Sequence, residues 1–335
     1  MEFGIFDQLP CSSEQVSERR YSEFIGQCTL ADELNFDSIW MAEYHFNPHF
    51  SVMPSPLLVG SAVAQCTTQI KIGTAVNLLP LHHPVRLAEE VATLDVISGG
   101  RALFGIGRGS NPEHYSGLGI NMDEARSRFL EGLDVVKEAW TTELLCHSGP
   151  HYNIDNIRVV PKPLQKPHPP IYIASNSPDT FPIVGELGHN ILVTPIIITT
   201  QGVIDNLAVY RKNLIEHGHK TSDVKVIPTL AACVSNDRGK ARELLEVTLD
   251  NYLGVLRAGQ SRRSSRASQL TAKSIIEDYA IVGDPSECIE KILEIKESMD
   301  CQGILLWQNI GGLVPHEELN LSMRLFSEKV MSHFR

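Results

Sequence analysis

The sequence predicts one α/β domain over residues 1–335, a (β/α)8 TIM barrel with insertions. Short apolar segments alternate with longer amphipathic ones along the chain, the pattern of repeated β-α units around a parallel sheet. Eight alternations favour a closed barrel, and no GxGxxG turn follows the first strand to support an open doubly wound sheet. At 335 residues the chain is long for one barrel, so we expect insertions between units.

Eight segments rich in β-forming residues are predicted to form the barrel strands. In chain order they are 2–6, 38–42, 70–77, 101–106, 171–175, 190–194, 224–234 and 303–307. The helices between them are indicated by apolar stripes at helical spacing. Two such stripes are Tyr21, Phe24, Cys28, Ala31 and Leu34, and Leu319, Met323, Phe326 and Val330.

Two stretches interrupt the alternation. Residues 150–170 carry six prolines and predict a stiff excursion before the fifth strand. From Arg257 to Lys273 the chain has five basic residues, four serines and no acid, which is too polar to fold alone. We predict a mobile loop at 257–274, and two interpretations stay open. It is either a lid that attracts an anionic ligand and excludes water, or an ordinary solvated loop.

Composition excludes several classes of function. The net charge of -11, with basic residues scattered outside that one loop, argues against nucleic acid as a partner. Seven widely spaced cysteines without a CxxC pair indicate neither a disulfide framework nor a zinc site. We find neither a targeting segment nor an apolar run of membrane-spanning length, so the sequence predicts a soluble, cytoplasmic protein without membrane association.

The second strand ends abruptly in proton-handling side chains. The apolar run 38–42 is followed by Glu43, Tyr44 and His45, a carboxylate, a phenol and an imidazole. Active sites of (β/α)8 barrels lie at the carboxyl ends of the strands. Strand alternation places Tyr44 on the opposite face from Glu43 and His45. We therefore expect catalysis at this junction.

Later strand ends favour an anionic ligand. Arg108 follows the fourth strand between Gly107 and Gly109, which leaves room for a large ligand beside a positive charge. After the fifth strand, Ser177-Pro178-Asp179-Thr180 resembles a helix start with Ser177 as the cap, and a helix amino terminus can bind phosphate. An ordinary turn and an ordinary cap are the competing interpretations.

Metal chemistry is not predicted. Four histidines could gather on the same rim, but Pro48 makes a shared helix improbable for the first two, and the expected acidic ligands are not evident. These histidines are His45, His49, His82 and His83.

Taken together, these features make the chain similar to the bacterial-luciferase-like family of flavin-dependent monooxygenases along nearly its whole length. The amino-terminal part of the resemblance is carried by Phe36-Asp37-Ser38-Ile39-Trp40, Glu43-Tyr44-His45-Phe46, Gly73-Thr74-Ala75, Leu79-Pro80, His83-Pro84-Val85-Arg86, Leu94-Asp95 with Ser98, and Gly100-Arg101. The rest is carried by Phe104-Gly105-Ile106-Gly107-Arg108-Gly109, Pro161-Lys162-Pro163, Pro170-Ile171-Tyr172-Ile173-Ala174, Val282-Gly283-Asp284-Pro285 and Leu325-Phe326.

The resemblance implies a barrel, usually dimeric, that binds reduced FMN at the strands' carboxyl ends. It implies a non-proline cis peptide at Ala75-Val76 that supports the flavin ring, with Gly107 nearby where luciferase has a reactive cysteine. The residues it implies around the phosphate are Arg108, Arg126, Ser177 and Thr180, with Asn176 where luciferase has an acid.

The main departure from the family is Tyr44. Many relatives have two histidines after the glutamate, and the first is the luciferase catalytic residue. Here only the second, His45, remains. A phenol with a pKa near about 10 donates a hydrogen bond at neutral pH but is a poor base. We expect Tyr44 and His45 to be the catalytic residues, with Tyr44 facing the flavin edge and His45 as a supporting group or a substitute base.

The resemblance thus implies a monooxygenase that uses reduced FMN from a separate flavin reductase. Through a C4a-peroxyflavin, the enzyme would transfer oxygen from O2 to a small organic substrate, and it would form a homodimer. Two alternatives stay open. One is hydride transfer with a deazaflavin, as in some relatives, and the other is a non-catalytic flavin-binding partner subunit.

Overall fold

The computed structural model describes residues 1–196, 198–258 and 269–335. Its strands in chain order are β1 (Glu2–Asp7), β2 (Ser38–Met41), β3 (Lys71–Thr74), β4 (Asn77–Leu78), β5 (Ala102–Gly107), β6 (Leu145–Ser148), β7 (Asn153–Ile157), β8 (Ile171–Ala174), β9 (Asn190–Val193), β10 (Val226–Val234), β11 (Ile281–Gly283) and β12 (Gly303–Trp307). Eight of them pair in parallel in the order β1-β2-β3-β5-β8-β9-β10-β12, and β12 pairs back onto β1. This closed ring confirms the predicted (β/α)8 TIM barrel.

Helices surround the barrel. In chain order they are α1 (Ser17–Glu33), α2 (Pro56–Cys66), α3 (Pro84–Ile97), α4 (Pro112–Gly117), α5 (Ala125–Thr141), α6 (Phe181–Leu187), α7 (Thr200–Glu216), α8 (Arg238–Ala258), α9 (Ala272–Tyr279), α10 (Pro285–Met299) and α11 (His316–Leu325). Short 3-10 turns occupy 79–81, 122–124, 221–223 and 331–333, and a π-helical turn occupies 326–330. No helix in these described ranges is long and apolar enough to cross a bilayer.

All eight predicted strands are present, with one interruption. The predicted strand 70–77 is divided into β3 and β4, and the cis peptide bond Ala75-Val76 lies between them, as the family resemblance implied. β3 pairs with both β2 and β5, whereas β4 pairs with β5.

The insertions differ in detail from the sequence prediction. The proline-rich stretch 150–170 begins with β7, which forms an antiparallel hairpin with β6, and then includes cis bonds before Pro161 and Pro167. At the predicted loop 257–274, α8 extends to Ala258 and α9 begins at Ala272, so both ends are helical. Residues 259–268, on which the lid prediction depends, lie outside the described residues.

Two hydrophobic layers position the site. One lies between the strands and the surrounding helices, and the other fills the barrel interior and extends under α8 and α9. In the interior the Trp40 indole packs edge-on against Tyr172, with ring centroids 4.9 Å apart. A Cβ on Gly73 would lie 2.5 Å from the Trp40 ring, so glycine there makes room for an internal indole. These rings close the barrel below the carboxyl ends of its strands.

Candidate active site

A cavity of about 550 Å³ opens at the carboxyl ends of the barrel strands. Its volume is within the range of small-molecule sites. The residues that line it follow or end most of the barrel strands. They include Gln8 after β1, Tyr44 after β2, Ala75 and Val76 after β3, Ser110 after β5, Asn176 after β8, Thr194 after β9 and Trp307 at the end of β12.

Tyr44 faces this cavity. Its ring stacks on Phe50 with centroids 4.3 Å apart, and its hydroxyl accepts a hydrogen bond of 3.1 Å from Asn111 Nδ2. Burial raises the pKa of Tyr44 above its usual value, and the negative charge of Glu113 raises it further, against the opposing effect of the Asn111 hydrogen bond. At neutral pH the phenol is therefore protonated and can donate its proton into the cavity.

His45 lies on the other side of the chain. It is not among the described residues that line the cavity, and its Nε2 lies 2.9 Å from Glu43 Oε1. Glu43 and His45 thus share one direction and Tyr44 takes the other, as strand alternation predicts. The geometry favours His45 as a supporting group, and its assignment as catalytic stays a prediction together with that of Tyr44.

The Glu43 carboxylate is the centre of a buried polar network. His45 and His82 each place Nε2 2.9 Å from it, and Asn77 Nδ2 and the Leu78 N–H donate bonds of 3.1 and 2.9 Å. Burial raises the pKa of Glu43, but these hydrogen bonds and the His82 charge outweigh burial and hold the pKa at about 2. The carboxylate is therefore ionised and saturated with donors, which excludes it from proton transfer into the cavity.

Two histidines near this carboxylate have pKa values shifted in opposite directions. Burial lowers the pKa of His82, but the Glu43 hydrogen bond and charge raise it overall. Burial and the neighbouring His45 hold the pKa of His114 at about 4, so that ring is neutral. In the ranges the structure describes, no group of three or more histidine, cysteine or acidic side chains is arranged to hold a metal ion.

The Ala75-Val76 segment forms one wall of the cavity. The Ala75 N–H donates to the Met41 carbonyl over 2.8 Å, and the Val76 carbonyl accepts from the Glu43 N–H over 3.2 Å. A Cβ on Gly107 would lie 2.6 Å from Val76 Cγ2, so β5 needs glycine there to pack against this segment. The predicted residues Ala75, Val76 and Gly107 are thus brought together, and the flat segment is a suitable support for a planar ring.

The predicted phosphate residues are not among the described residues that line the cavity; they gather around Asp179, three residues after the cavity-lining Asn176, and Asp179 is not predicted as a site residue from the sequence. Arg108 Nη1 and Arg126 Nη2 lie 4.0 and 3.5 Å from Asp179 Oδ2, and Arg126 Nη2 also donates to the Asp179 carbonyl over 3.2 Å. A hydrogen bond from Ser177, opposed by partial burial, and the two arginine charges lower the pKa of Asp179. Two guanidinium groups therefore converge on one carboxylate.

The helix that was expected to begin at Ser177 begins later. Residues 177–180 form a turn, α6 begins at Phe181 with Thr180 at its N-cap, and Thr180 Oγ1 donates to the Ser177 carbonyl over 2.7 Å. The prediction of Ser177 as the helix cap is therefore wrong. Asn176 lines the cavity, and its Oδ1 accepts from the Thr194 N–H over 3.1 Å.

Comparison with known proteins places this barrel in a family. The sequence model of the luciferase-like monooxygenases matches residues 1–300. The chain belongs to the luciferase-like monooxygenase family. This membership confirms the resemblance found in the sequence and supports a flavin-type cofactor and an oxidoreductase.

Curated relatives of this luciferase-like chain include proteins of three kinds. Protein y4wF of Sinorhizobium fredii is 39% identical over 57% of this chain, and the oxygenase component of the flavin-dependent trigonelline monooxygenase of Acinetobacter baylyi is 32% identical over 58%. The chain spans 55% of the length of each. The alkanal monooxygenase alpha chain of the Kryptophanaron alfredi symbiont is 26% identical over all of this chain and 99% of its own.

Solved structures share the whole fold. Monooxygenase RslO1 of Streptomyces bottropensis is 28% identical with a TM-score of 0.90, and each chain is covered completely. The oxygenating constituent of 3,6-diketocamphane monooxygenase from Pseudomonas putida, in complex with FMN, has a TM-score of 0.81 at 20% identity over 98% and 97% of the chains. An F420-dependent secondary alcohol dehydrogenase has a TM-score of 0.80 at 19% identity over 99% and 98%.

Asn111, Glu113, His82 and Asp179 are not predicted as site residues in these roles from the sequence. His82, which the sequence offers only as a metal ligand, lies 39 positions from Glu43 and binds its carboxylate. For Asp179 the available signal is an acid within three residues of two expected phosphate contacts.

Proposed function

We propose that this luciferase-like protein is the oxygenase of a two-component monooxygenase that uses reduced FMN from a separate flavin reductase and O2 to oxygenate a small organic substrate. The observation that carries the proposal is the combination of a cavity wall at Ala75-Val76, a protonated tyrosine inside the cavity and a pair of arginines that converge on Asp179, close in the chain to the cavity-lining Asn176. The trigonelline relative, named as an oxygenase component, supports a separate reductase.

The residues present fit a flavin mononucleotide. Arg108 and Arg126 supply two guanidinium groups for a phosphate, with the Ser177 and Thr180 hydroxyls beside them. Ala75, Val76 and Gly107 would support the ring, and Asn176, which precedes Ser177 in the chain, lines the cavity. When bound and reduced, the cofactor would supply the activation of O2.

The chain's own contribution is positioning, water exclusion and control of one proton. Tyr44 would donate its phenolic proton at the flavin edge, with its hydroxyl oriented by Asn111. The buried Glu43 network would fix the backbone on which Tyr44 lies, since Glu43 contacts both His45 and the segment after the cis bond. Aromatic side chains around Tyr44 would keep the reacting region dry.

Binding and oxygen consumption test the proposal. Purified protein should quench FMN fluorescence on titration. When the protein is mixed anaerobically with reduced FMN and the mixture is then exposed to air, O2 should be consumed. Absence of binding of both oxidised and reduced FMN would overturn it. Riboflavin is the matched ligand without phosphate, and Arg108→Ala should weaken FMN binding much more than riboflavin binding.

A second candidate is hydride transfer with a deazaflavin. The F420-dependent alcohol dehydrogenase has the same fold at a TM-score of 0.80. Parallel titrations with FMN and F420 separate the two functions. Binding of F420 alone, with substrate reduction independent of O2, would establish the second candidate.

We also propose that the chain forms a homodimer in a reducing, cytoplasmic compartment. Leu58 near the start of α2 is 72% exposed, and Val96 and Ile97 at the end of α3 are 42% and 43% exposed, and a partner would cover such apolar side chains. All seven cysteines are free. Light scattering of the wild type and of Leu58→Glu checks the dimer, which the variant should weaken.

A further inference from the structure

One side of the cavity is a continuous row of aromatic rings, which we call the aromatic wall and which comprises Phe6, Trp307, Tyr252, Phe50 and Tyr44. Neighbouring centroids are 5.1 Å apart for Phe6 and Trp307, 5.2 Å for Trp307 and Tyr252, 5.7 Å for Tyr252 and Phe50, and 4.3 Å for Phe50 and Tyr44. All five line the cavity. Such a surface packs well against another planar ring.

The barrel topology places most of this wall away from the proposed flavin position. The proposed flavin residues follow β3, β5 and β8, which are neighbours in the ring of strands. Phe6 and Trp307 belong to β1 and β12, and Tyr252 belongs to α8, next to the opposite part of the barrel, whereas Tyr44 and Phe50 follow β2, beside β3. The wall therefore extends from the proposed flavin edge at Tyr44 into the part of the cavity left for a substrate.

A carboxylate lies at the Tyr44 end of the wall. Among the described residues that line the cavity, Glu113 alone has a charged side chain. Its backbone N–H is bound by Asn111 Oδ1, but its carboxylate has no hydrogen-bond or salt-bridge partner within residues 1–196, 198–258 and 269–335. Its charge reaches the Tyr44 hydroxyl, whose pKa it raises. An acceptor that has no partner among these described residues thus adjoins an aromatic surface.

We propose that the cavity binds a hydroxylated aromatic substrate, with its ring on the aromatic wall and its hydroxyl group donating a hydrogen bond to Glu113. This inference rests on the proposed oxygenase function and names its substrate class. A phenol remains protonated at neutral pH and is a donor, whereas Glu113 repels a carboxylate and gains no hydrogen bond from an aliphatic aldehyde. A bond to a charged acceptor is stronger than a neutral one.

The test uses three probes, 2-naphthol, 2-methoxynaphthalene and decanal. Each is titrated by calorimetry into flavin-free protein and into protein saturated with FMN. We expect 2-naphthol to bind about tenfold tighter than its methyl ether, because only the naphthol donates to the carboxylate. In Glu113→Gln the affinity ratio of 2-naphthol to its methyl ether should fall to about threefold, since the acceptor is then neutral.

A second variant tests the wall without removing a fully buried residue. Phe50→Leu should weaken both naphthalene probes about fivefold and leave decanal within about twofold. Matched controls are Glu328→Gln and Phe334→Leu, which lie outside the cavity lining and should change none of the three affinities. Calorimetric titration of 2-naphthol needs no catalysis.

Three outcomes would overturn the inference: decanal binding as tightly as 2-naphthol, equal affinity for 2-naphthol and its methyl ether, or an unchanged ratio in Glu113→Gln. A separate FMN titration distinguishes this failure from that of the proposed function. If FMN binds but the probes show one of these outcomes, only the substrate class is wrong. If FMN does not bind while the probe ratios hold, only the flavin-dependent function fails.

Discussion

Replacement of Asp179 by asparagine should tighten FMN binding. In the structure this carboxylate is held by both arginines that we propose for the phosphate, at 4.0 Å from Arg108 and 3.5 Å from Arg126. A phosphate at the same place must share the two guanidinium groups with a negative charge. Asp179→Asn removes that charge and keeps nearly the same side-chain shape.

The size of the effect follows from the distances and from the exposure of the groups. Two unit charges about 4 Å apart interact by about 1 kcal/mol in water and about 4 kcal/mol at an effective dielectric constant of 20. The three side chains are 35–50% exposed, so solvent screening places the effect at the lower end. We expect a gain of about 1 to 2 kcal/mol, or roughly 5- to 30-fold in the FMN dissociation constant.

The assay is fluorescence titration of FMN and riboflavin at low and high salt. The gain should appear with FMN, shrink at high salt and be absent with riboflavin, which has no phosphate. Asp205→Asn, on the exposed surface of α7, is the control for loss of an acid elsewhere. It should leave both ligands within about twofold of wild type.

Unchanged or weaker FMN binding in Asp179→Asn would refute the competition between this carboxylate and phosphate. An equal gain for riboflavin would also refute it, because the effect would then act on the ring or on the fold. Either result would leave Arg108 and Arg126 as phosphate contacts to be tested on their own.

Glu43→Gln should lower the free energy of unfolding in urea by roughly 3 kcal/mol, because the folded protein holds the pKa of this buried carboxyl at about 2 instead of 4.5. Because that pKa is depressed, the stabilisation is present above about pH 4.5 and is lost as pH falls toward about 2, so the wild-type melting temperature should drop in this window more steeply than that of the variant. The raised pKa of His82 has the opposite pH dependence: its contribution to the free energy of unfolding is complete below about pH 6.5 and is lost as pH rises through the pKa of the folded protein. An NMR titration of the His82 ring should show that pKa above 6.5. Tyr44→Phe should leave FMN affinity unchanged and lower the product formed per O2 consumed at least about tenfold, whereas His45→Ala should mainly lower the melting temperature. Turnover and coupling equal to wild type in Tyr44→Phe would show that Tyr44 does not control the proton. Gly107→Ala should lower the free energy of unfolding by about 1 to 3 kcal/mol, because the new Cβ would lie 2.6 Å from Val76 Cγ2. An unchanged unfolding midpoint would show that β5 adjusts freely.

Local patterns were sufficient for the barrel and for the direction of Tyr44. Strand segments are short, apolar and separated by helical stripes, and alternation continued past the end of β2 separates Tyr44 from His45 without knowledge of any distant residue. The polar hairpin of β6 and β7 was missed because its strands carry few apolar residues, and β11 was missed because it has only three residues.

Contacts between distant segments could not be predicted in this way. His82 reaches Glu43 only because β2 and β3 are neighbours in the closed ring. The start of α6 was misplaced because Pro178 and Pro182 both suit a first helical turn, and the structure uses Pro182. Asp179 consequently lies in a turn that brings its carboxylate to two arginines.

The division of labour along β2 has a consequence for evolution and engineering. Glu43 and His45 bind each other inside the protein, while Tyr44 between them faces the cavity, where its hydroxyl binds Asn111 and its ring packs on Phe50 and His114. Residue 44 can therefore be exchanged for another ring without disturbing the buried carboxylate network. A saturation library at this codon should yield soluble variants that differ in reaction outcome, so the barrel offers one replaceable position through which a lineage can change its chemistry.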